Sequence, residues 1–225
     1  MVGQVFLYLF SHLKLKENLR LFPPHNQPNA LEKLDDAYWN NRYLEDNTPW
    51  DLGDVSPPLK SFIDTFSGKK QHVLIPGAGR GYEPIYMHRA GFSHVVVCDW
   101  SEAALKSIAG KEPSFPIANL VCADFFELQG TFDLLLEHTF FCAIAPARRS
   151  EYVQKSWELL RPGGMLAGLF FAHEFPIEGP PFGGTKEEYE ALFSPGFKIE
   201  QLSLAENSVK PRAGNELFVR FTRRG

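Results

Sequence analysis

Cysteine is scarce in this chain. The 225 residues hold three, Cys98, Cys122 and Cys142, an odd number at apolar positions. That excludes a disulfide framework and predicts buried, reduced thiols in preference to redox or metal roles, and with them a cytoplasmic protein. Surplus positive charge is also missing: 23 Lys and Arg against 27 Asp and Glu leave a formal net charge of −4. No global field then draws in nucleic acid, so none is expected as a partner. Asp, Glu and His nowhere gather at clear metal-ligand spacing, which argues against a bound metal. A run long enough to cross a bilayer is absent too. The apolar opening, residues 1–13, falls short of the ~20 residues that a span requires. It also lacks the leading positive charge and small-residue cleavage site of a signal peptide. Internal repeats and low-complexity tracts do not occur.

What is present suits a folded domain: 44% hydrophobic and 22% charged residues argue against disorder. Residues 1–30 read as an N-terminal extension. In it Val2, Phe6, Leu9 and Leu13 recur at helical spacing, fitting a helix laid on the domain or on a neighbouring subunit. A proline-rich connector, Phe22-Pro23-Pro24 through Pro28, follows. Residues 31–225 read as a single domain. Its first part, 31–58, combines a helix over 31–43, a loop over 48–53 and a short helix opening at Pro57-Pro58. Trp39 and Tyr43, four apart on one helical face, and Trp50 in the loop suit either a core or a cover for a cationic ligand.

Strand-like and helix-like segments then alternate. Strands are predicted over 72–75, 95–98, 119–122, 132–136 and 165–171, and helices from about Tyr82, over 102–109 after the cap Ser101, over 146–160 and over 187–193. Arg161-Pro162-Gly163-Gly164 reads as a tight turn into the fifth strand. Two last strands, 198–204 and 216–221, have no helix between them and should pair antiparallel. The fold class is therefore α/β: a doubly wound, mostly parallel sheet with an antiparallel C-terminal strand and an N-terminal helical lid.

The chemistry gathers around the first two strands. The apolar run 72–75 ends at Pro76, with Gly77, Gly79 and Gly81 at alternate positions. Glycines there let the backbone turn sharply and approach a ligand closely. The helix after them aims its N-terminal amides at that ligand. The second strand ends at Asp99, about twenty residues on, where a carboxylate accepts hydrogen bonds from ribose hydroxyls. This is a nucleoside-binding βαβ unit. Its third glycine comes one residue earlier than in the dinucleotide fingerprint G-x-G-x-x-G. Gly77, Asp99, Asp124, Glu137 and the loop after Phe171 all fall at predicted strand ends and so share one rim.

From about Asp36 onwards the chain resembles a class I S-adenosylmethionine-dependent methyltransferase. Val73-Leu74-Ile75-Pro76-Gly77-x-Gly79, Thr48-Pro49-Trp50-Asp51-Leu52-Gly53, Phe140-Phe141-Cys142-Ala143-Ile144 and Gly179-Pro180-Pro181-Phe182 resemble the thiopurine S-methyltransferase superfamily, and within it the thiol and halide methyltransferases. The resemblance implies S-adenosylmethionine as cofactor. It implies Pro76-Gly77 and Gly79 at the cofactor's methionine end, Asp99 on the ribose and Asp124-Phe125 beside the adenine. Glu137, often aspartate in relatives, is implied at the cofactor's amino group, and Trp39, Tyr43 and Trp50 as an aromatic lid. Relatives often carry tryptophan where this chain has Tyr43, and some plant relatives a tyrosine near Phe171. Phe140 and Phe141 are expected in the core. No catalytic residue is fixed; His138 and His173, near the mouth, are the candidate bases. His72 and His94 start their strands and belong to the opposite end of the sheet.

The function implied is methyl transfer to a small soft nucleophile: a thiol, bisulfide, thiocyanate or halide. A small-molecule O- or N-methyltransferase and a non-catalytic cofactor-binding domain remain the alternatives.

Overall fold

Burial sets the central strands. In a computed structural model that describes residues 34–176 and 179–225, β1 (His72–Pro76), β2 (His94–Asp99) and β4 (Phe132–His138) are nearly continuous runs of buried residues. Strands covered on both faces have this character. With β3 (Leu120–Cys122), β5 (Leu160–Phe171), β6 (Phe197–Leu204) and β7 (Glu216–Arg223) they form a seven-stranded sheet, ordered β3-β2-β1-β4-β5-β7-β6. β1 to β5 pair in parallel, and β7 runs antiparallel between β5 and the edge strand β6.

The two-residue period of the strands fills both faces. Leu74, Leu135 and Leu166 pack with Phe141, Tyr152, Phe170 and Phe193 on one side. Their chain neighbours Val73, Leu134 and Ala167 pack with Leu59, Ile63 and Ile108 on the other. The helices that cover these faces are α2 (Pro57–Thr65), α3 (Tyr82–Arg89), α4 (Glu102–Lys111), α5 (Arg149–Leu159) and α6 (Lys186–Phe193); α1 (Asp36–Leu44) precedes them. α2 opens on two prolines, whose missing N–H groups would have found no intrahelical partner. α4 starts where the Ser101 hydroxyl accepts the Ala104 N–H at 3.1 Å. α6 starts at a reciprocal capping box between Thr185 and Glu188.

Three sequence-based expectations are corrected. The helix over 146–160 opens as a 3-10 turn, Pro146–Arg148, and is α-helical only from Arg149. It stops at Leu159 because Leu160 already pairs with Phe132. The ladder resumes at Leu134 and Met165, so residues 161–164 are a bulge inside β5 rather than a turn before it. Cys98 and Cys142 are buried free thiols, but Cys122, ending the edge strand β3, is exposed. The helical spacing in the N-terminal extension lies outside the described residues. Among those described, no helix is long and apolar enough to cross a membrane.

Candidate active site

The carboxyl ends of the parallel strands open onto a cavity of about 780 Å³. Gly77, Gly79 and Gly81 have φ of +56°, +52° and +77°, a left-handed conformation that costs other residues about 1–2 kcal/mol. The space their missing side chains leave is used first by the protein itself. A Cβ on Gly77 would lie 2.3 Å from the Phe140 ring, one on Gly79 2.5 Å from the Tyr43 hydroxyl, and one on Gly81 2.4 Å from Ile108. The glycines therefore let the wall, α1 and α4 close around the loop. Gly77 lines the cavity, while Gly79 faces a small recess beside it.

Asp99 ends β2 on the cavity wall. Its Oδ2 accepts the Gly79 N–H at 3.0 Å and its Oδ1 the Ser101 N–H at 2.8 Å. Burial raises the carboxyl's pKa against the pull of those amides. Asp124 also lines the cavity, and its Oδ1 caps the Phe125–Glu127 3-10 turn through the Phe126 N–H at 2.8 Å. Phe125 serves wall and core together: its ring stacks 5.4 Å from Tyr152 and meets Phe140 edge-on at 5.2 Å. Phe141 is core, stacked 4.4 Å from Phe170.

Glu137 is fully buried and does not line the cavity. Its Oε1 accepts the N–H groups of Phe140 and Phe141, both at 2.7 Å, so the side chain turns under the wall and holds the segment that carries Phe140. Burial pushes its pKa up to about 7 despite those amides, and Oε2 has no partner among the described residues. Gly168 makes the room: a Cβ there would come within 2.7 Å of the Glu137 Cβ.

The three aromatics before the sheet meet on the cavity. Trp50 packs edge-on against Trp39 at 5.6 Å and Tyr43 at 6.1 Å, and all three line the wall. α1 is capped by Asp35, whose carboxylate accepts the Tyr38 N–H at 3.0 Å. Asn40 then pins the helix down: its Oδ1 accepts the Ser101 hydroxyl and the Ala103 N–H, both at 3.1 Å. On the glycine loop, Arg80 pairs with Asp51 at 2.8 Å and with Asp46, tying the segment after α1 to that loop.

The two candidate histidines separate. His138 lies behind the wall, Nδ1 3.0 Å from Glu83 Oε1 and Nε2 3.1 Å from Arg212 Nη1. Burial disfavours its charge, yet the Glu83 carboxylate outweighs this and raises its pKa. His173 does line the cavity, with its ring 4.4 Å from Phe175 and its Nδ1 unpartnered among the described residues. Arg148 and Arg212 also reach the wall. Sequence reasoning passes over both, because nothing in their local pattern separates them from surface arginines. Cys98 and Cys142 border the cavity as thiols: burial pushes Cys98 up to about 12 and raises Cys142 as well.

A family model described as "Thiopurine S-methyltransferase (TPMT)" matches residues 34–222. The chain is 35% identical over 191 residues to "Probable thiol methyltransferase 2" of Arabidopsis thaliana, covering 81% of this chain and 83% of that protein. It is 30% identical over 194 residues to "Thiocyanate methyltransferase 1" of the same plant, covering 84% and 85%. Among solved structures it is similar to the Burkholderia thailandensis 1,6-didemethyltoxoflavin-N1-methyltransferase, which has S-adenosylhomocysteine bound. The TM-score is 0.72 at 20% identity, covering 91% of this chain and 95% of that one. That likeness concerns the fold, whereas the matched span and the plant relatives fix the family. The chain belongs to the thiopurine S-methyltransferase family of S-adenosylmethionine-dependent methyltransferases.

Proposed function

We propose that this methyltransferase delivers its methyl group to a small soft nucleophile: a thiol, bisulfide, thiocyanate or halide ion. The observation that carries the reading is the chemistry of the wall. It is mainly aromatic and apolar, with Trp39, Tyr43, Trp50, Phe126, Phe171 and Phe175 among its residues. The described residues hold no group able to bind a metal, and the wall sets no carboxylate–histidine pair facing the cavity. Soft anions need neither.

The residues fit S-adenosylmethionine. Glycines whose Cβ positions are already filled draw the loop close, and Asp99 stands at the end of β2 for the ribose hydroxyls. Asp124 and Phe125 would hold the adenine, and Gly77 would border the methionine end. Trp39, Tyr43 and Trp50 would flank the positive charge, each well-placed ring contributing about 0.5–2 kcal/mol. Glu137 would act only through the Phe140 segment that it holds. When bound, S-adenosylmethionine supplies a methyl group already activated on a sulfonium. The chain's own task is to strip water from the acceptor and align it.

Two experiments test this. An ordinary alkyl thiol has a pKa of about 8.5, so without an enzyme base its kcat/KM should rise with pH towards that value. Thiocyanate or iodide, already anionic, should give a flatter profile near neutrality. A His173→Asn variant should keep both profiles. Turnover of catechols or amines, with none of thiols or anions, would instead make this an O- or N-methyltransferase. Second, cofactor should quench tryptophan fluorescence and protect residues 34–54 from proteolysis. Equal resistance with and without cofactor would return Trp39, Tyr43 and Trp50 to plain packing.

A further inference from the structure

α1 carries two of the aromatics on the cavity wall, Trp39 and Tyr43, yet none of its nine residues is buried. A helix that short is not stable alone in water, so its place depends on what it docks against. Past its end, Arg80 ties the chain to the glycine loop through Asp51 at 2.8 Å. Within the helix the attachment is Asn40. Its Oδ1 accepts the Ser101 hydroxyl and the Ala103 N–H, both at 3.1 Å. Among the described residues, no other side chain of α1 hydrogen-bonds to the sheet or to the helices that cover it.

Those contacts cap α4 a second time. Ser101 precedes that helix, and its Oγ accepts the Ala104 N–H at 3.1 Å. The Ala103 N–H, in the same first turn, has no intrahelical carbonyl to bond, and Asn40 accepts it from 63 residues away. Ser101 faces the strand end as well: its own N–H donates to Asp99 Oδ1 at 2.8 Å. Residues 99–101 therefore carry the carboxylate that ends β2 and the seat of α1 within one turn of chain.

Asn40 fixes the rotation of α1 along with its place. It adjoins Trp39 in the chain, and Tyr43, three residues on, is its neighbour on the helix surface. Turning α1 by one residue, about 100°, would break both Asn40 bonds and swing the two rings off the wall. Their seats are close-fitting. The Tyr43 hydroxyl lies 2.5 Å from where a Gly79 Cβ would stand, and Trp39 meets Trp50 edge-on at 5.6 Å.

We propose that Asn40 is a positioning residue of the cofactor site: by capping α4 it docks α1 in the one orientation that sets Trp39 and Tyr43 against S-adenosylmethionine. This rests on the cofactor placement above and deepens it. Without cofactor, docked and undocked arrangements of α1 compete, and the apparent affinity scales with the docked fraction. Asn40 raises that fraction before the cofactor arrives.

The test compares the wild-type protein with Asn40→Ala and Asn40→Asp. Calorimetry gives the Kd of S-adenosylhomocysteine, and amide hydrogen exchange is followed with and without it. Asn40→Ala should raise the Kd by about 5- to 50-fold, the range for losing two hydrogen bonds. Its cofactor-free form should exchange faster over residues 36–44 and at Ala103, with the amides of β1 and β2 unchanged. Asn40→Asp keeps the acceptor and puts a charge where a helix N-terminus favours it, so it should recover most of the affinity. Unchanged affinity in Asn40→Ala would overturn the role of Asn40 and leave the cofactor placement standing. Faster exchange throughout β1 and β2 would make Asn40 a general stabiliser, and an Asn40→Asp protein as weak as Asn40→Ala would remove the hydrogen bonds from the account; either result overturns the proposal. A wild-type protein in which cofactor binds without slowing exchange over residues 36–44 would overturn the placement of Trp39 and Tyr43 against the cofactor, and the proposal with it.

Discussion

Gly77→Val is expected to abolish cofactor binding and to cost the fold about 2–5 kcal/mol, combining left-handed backbone strain with overpacking. The backbone at Gly77 has φ +56°, and its new Cβ would stand 2.3 Å from the Phe140 ring. Phe140 has little room to retreat. Its N–H is held by Glu137 at 2.7 Å, and its ring abuts Phe125 at 5.2 Å. The displaced ring is left with the cavity. The obstruction is thus the protein's own wall, moved into the space that the cofactor needs. Gly53 offers the control: its φ is +76°, but a Cβ there would meet nothing within 4 Å. Gly53→Val should pay only backbone strain, about 1–2 kcal/mol. Thermal unfolding and calorimetry with S-adenosylhomocysteine measure both quantities. A Gly77→Val protein that melts and binds like wild type would remove the glycine loop from the site.

Asp99→Ala should lower cofactor affinity by about 1.5–3 kcal/mol, the range for charge-assisted hydrogen bonds. The loss has two sources: the carboxylate available to a ribose, and the restraint that carboxylate places on the Gly79 and Ser101 amides. Stability should respond differently to pH. Because burial raises the pKa of Asp99 above its unfolded value, the folded state holds the proton more tightly than the unfolded chain. The group's contribution is therefore most favourable below the unfolded value, near 3.9, and falls as pH climbs through the raised folded value. Asp99→Ala should flatten that part of the stability–pH curve while weakening binding. Unchanged affinity in calorimetry would take Asp99 out of the site, and an unchanged pH slope would assign the slope to other carboxyls.

The sequence by itself determined the sheet and the loop on which the site is built. Runs such as Val73-Leu74-Ile75 and Val95-Val96-Val97-Cys98 are apolar throughout because parallel strands are covered on both faces, a purely local signature. Gly77-x-Gly79-x-Gly81 and Asp99 are legible for a similar reason: each is tied to the end of its own strand, and the backbone conformation is set within a few residues. The positions of Trp39, Tyr43 and Trp50 could be written down in the same way, although their meeting on one cavity could not.

Only the tertiary structure decided where side chains beyond the strand ends point. Glu137 and His138 both finish β4, and the period of two says that they face opposite ways without saying which way leads to the cavity. Packing sends Glu137 under the Phe140 segment and His138 to Glu83, so that neither opens on the cavity that His173 lines. Arg212 is the extreme case. Its partner Trp50 lies 162 residues away in the chain, and its place depends on β7 being inserted beside β5. A guanidinium in a polar loop looks like any solvated arginine until a fold brings Glu216, His138 and the Trp50 carbonyl around it. Local sequence carries the backbone's conformational demands and the burial of a strand, whereas the neutralisation of a buried charge is settled by residues far apart in the chain.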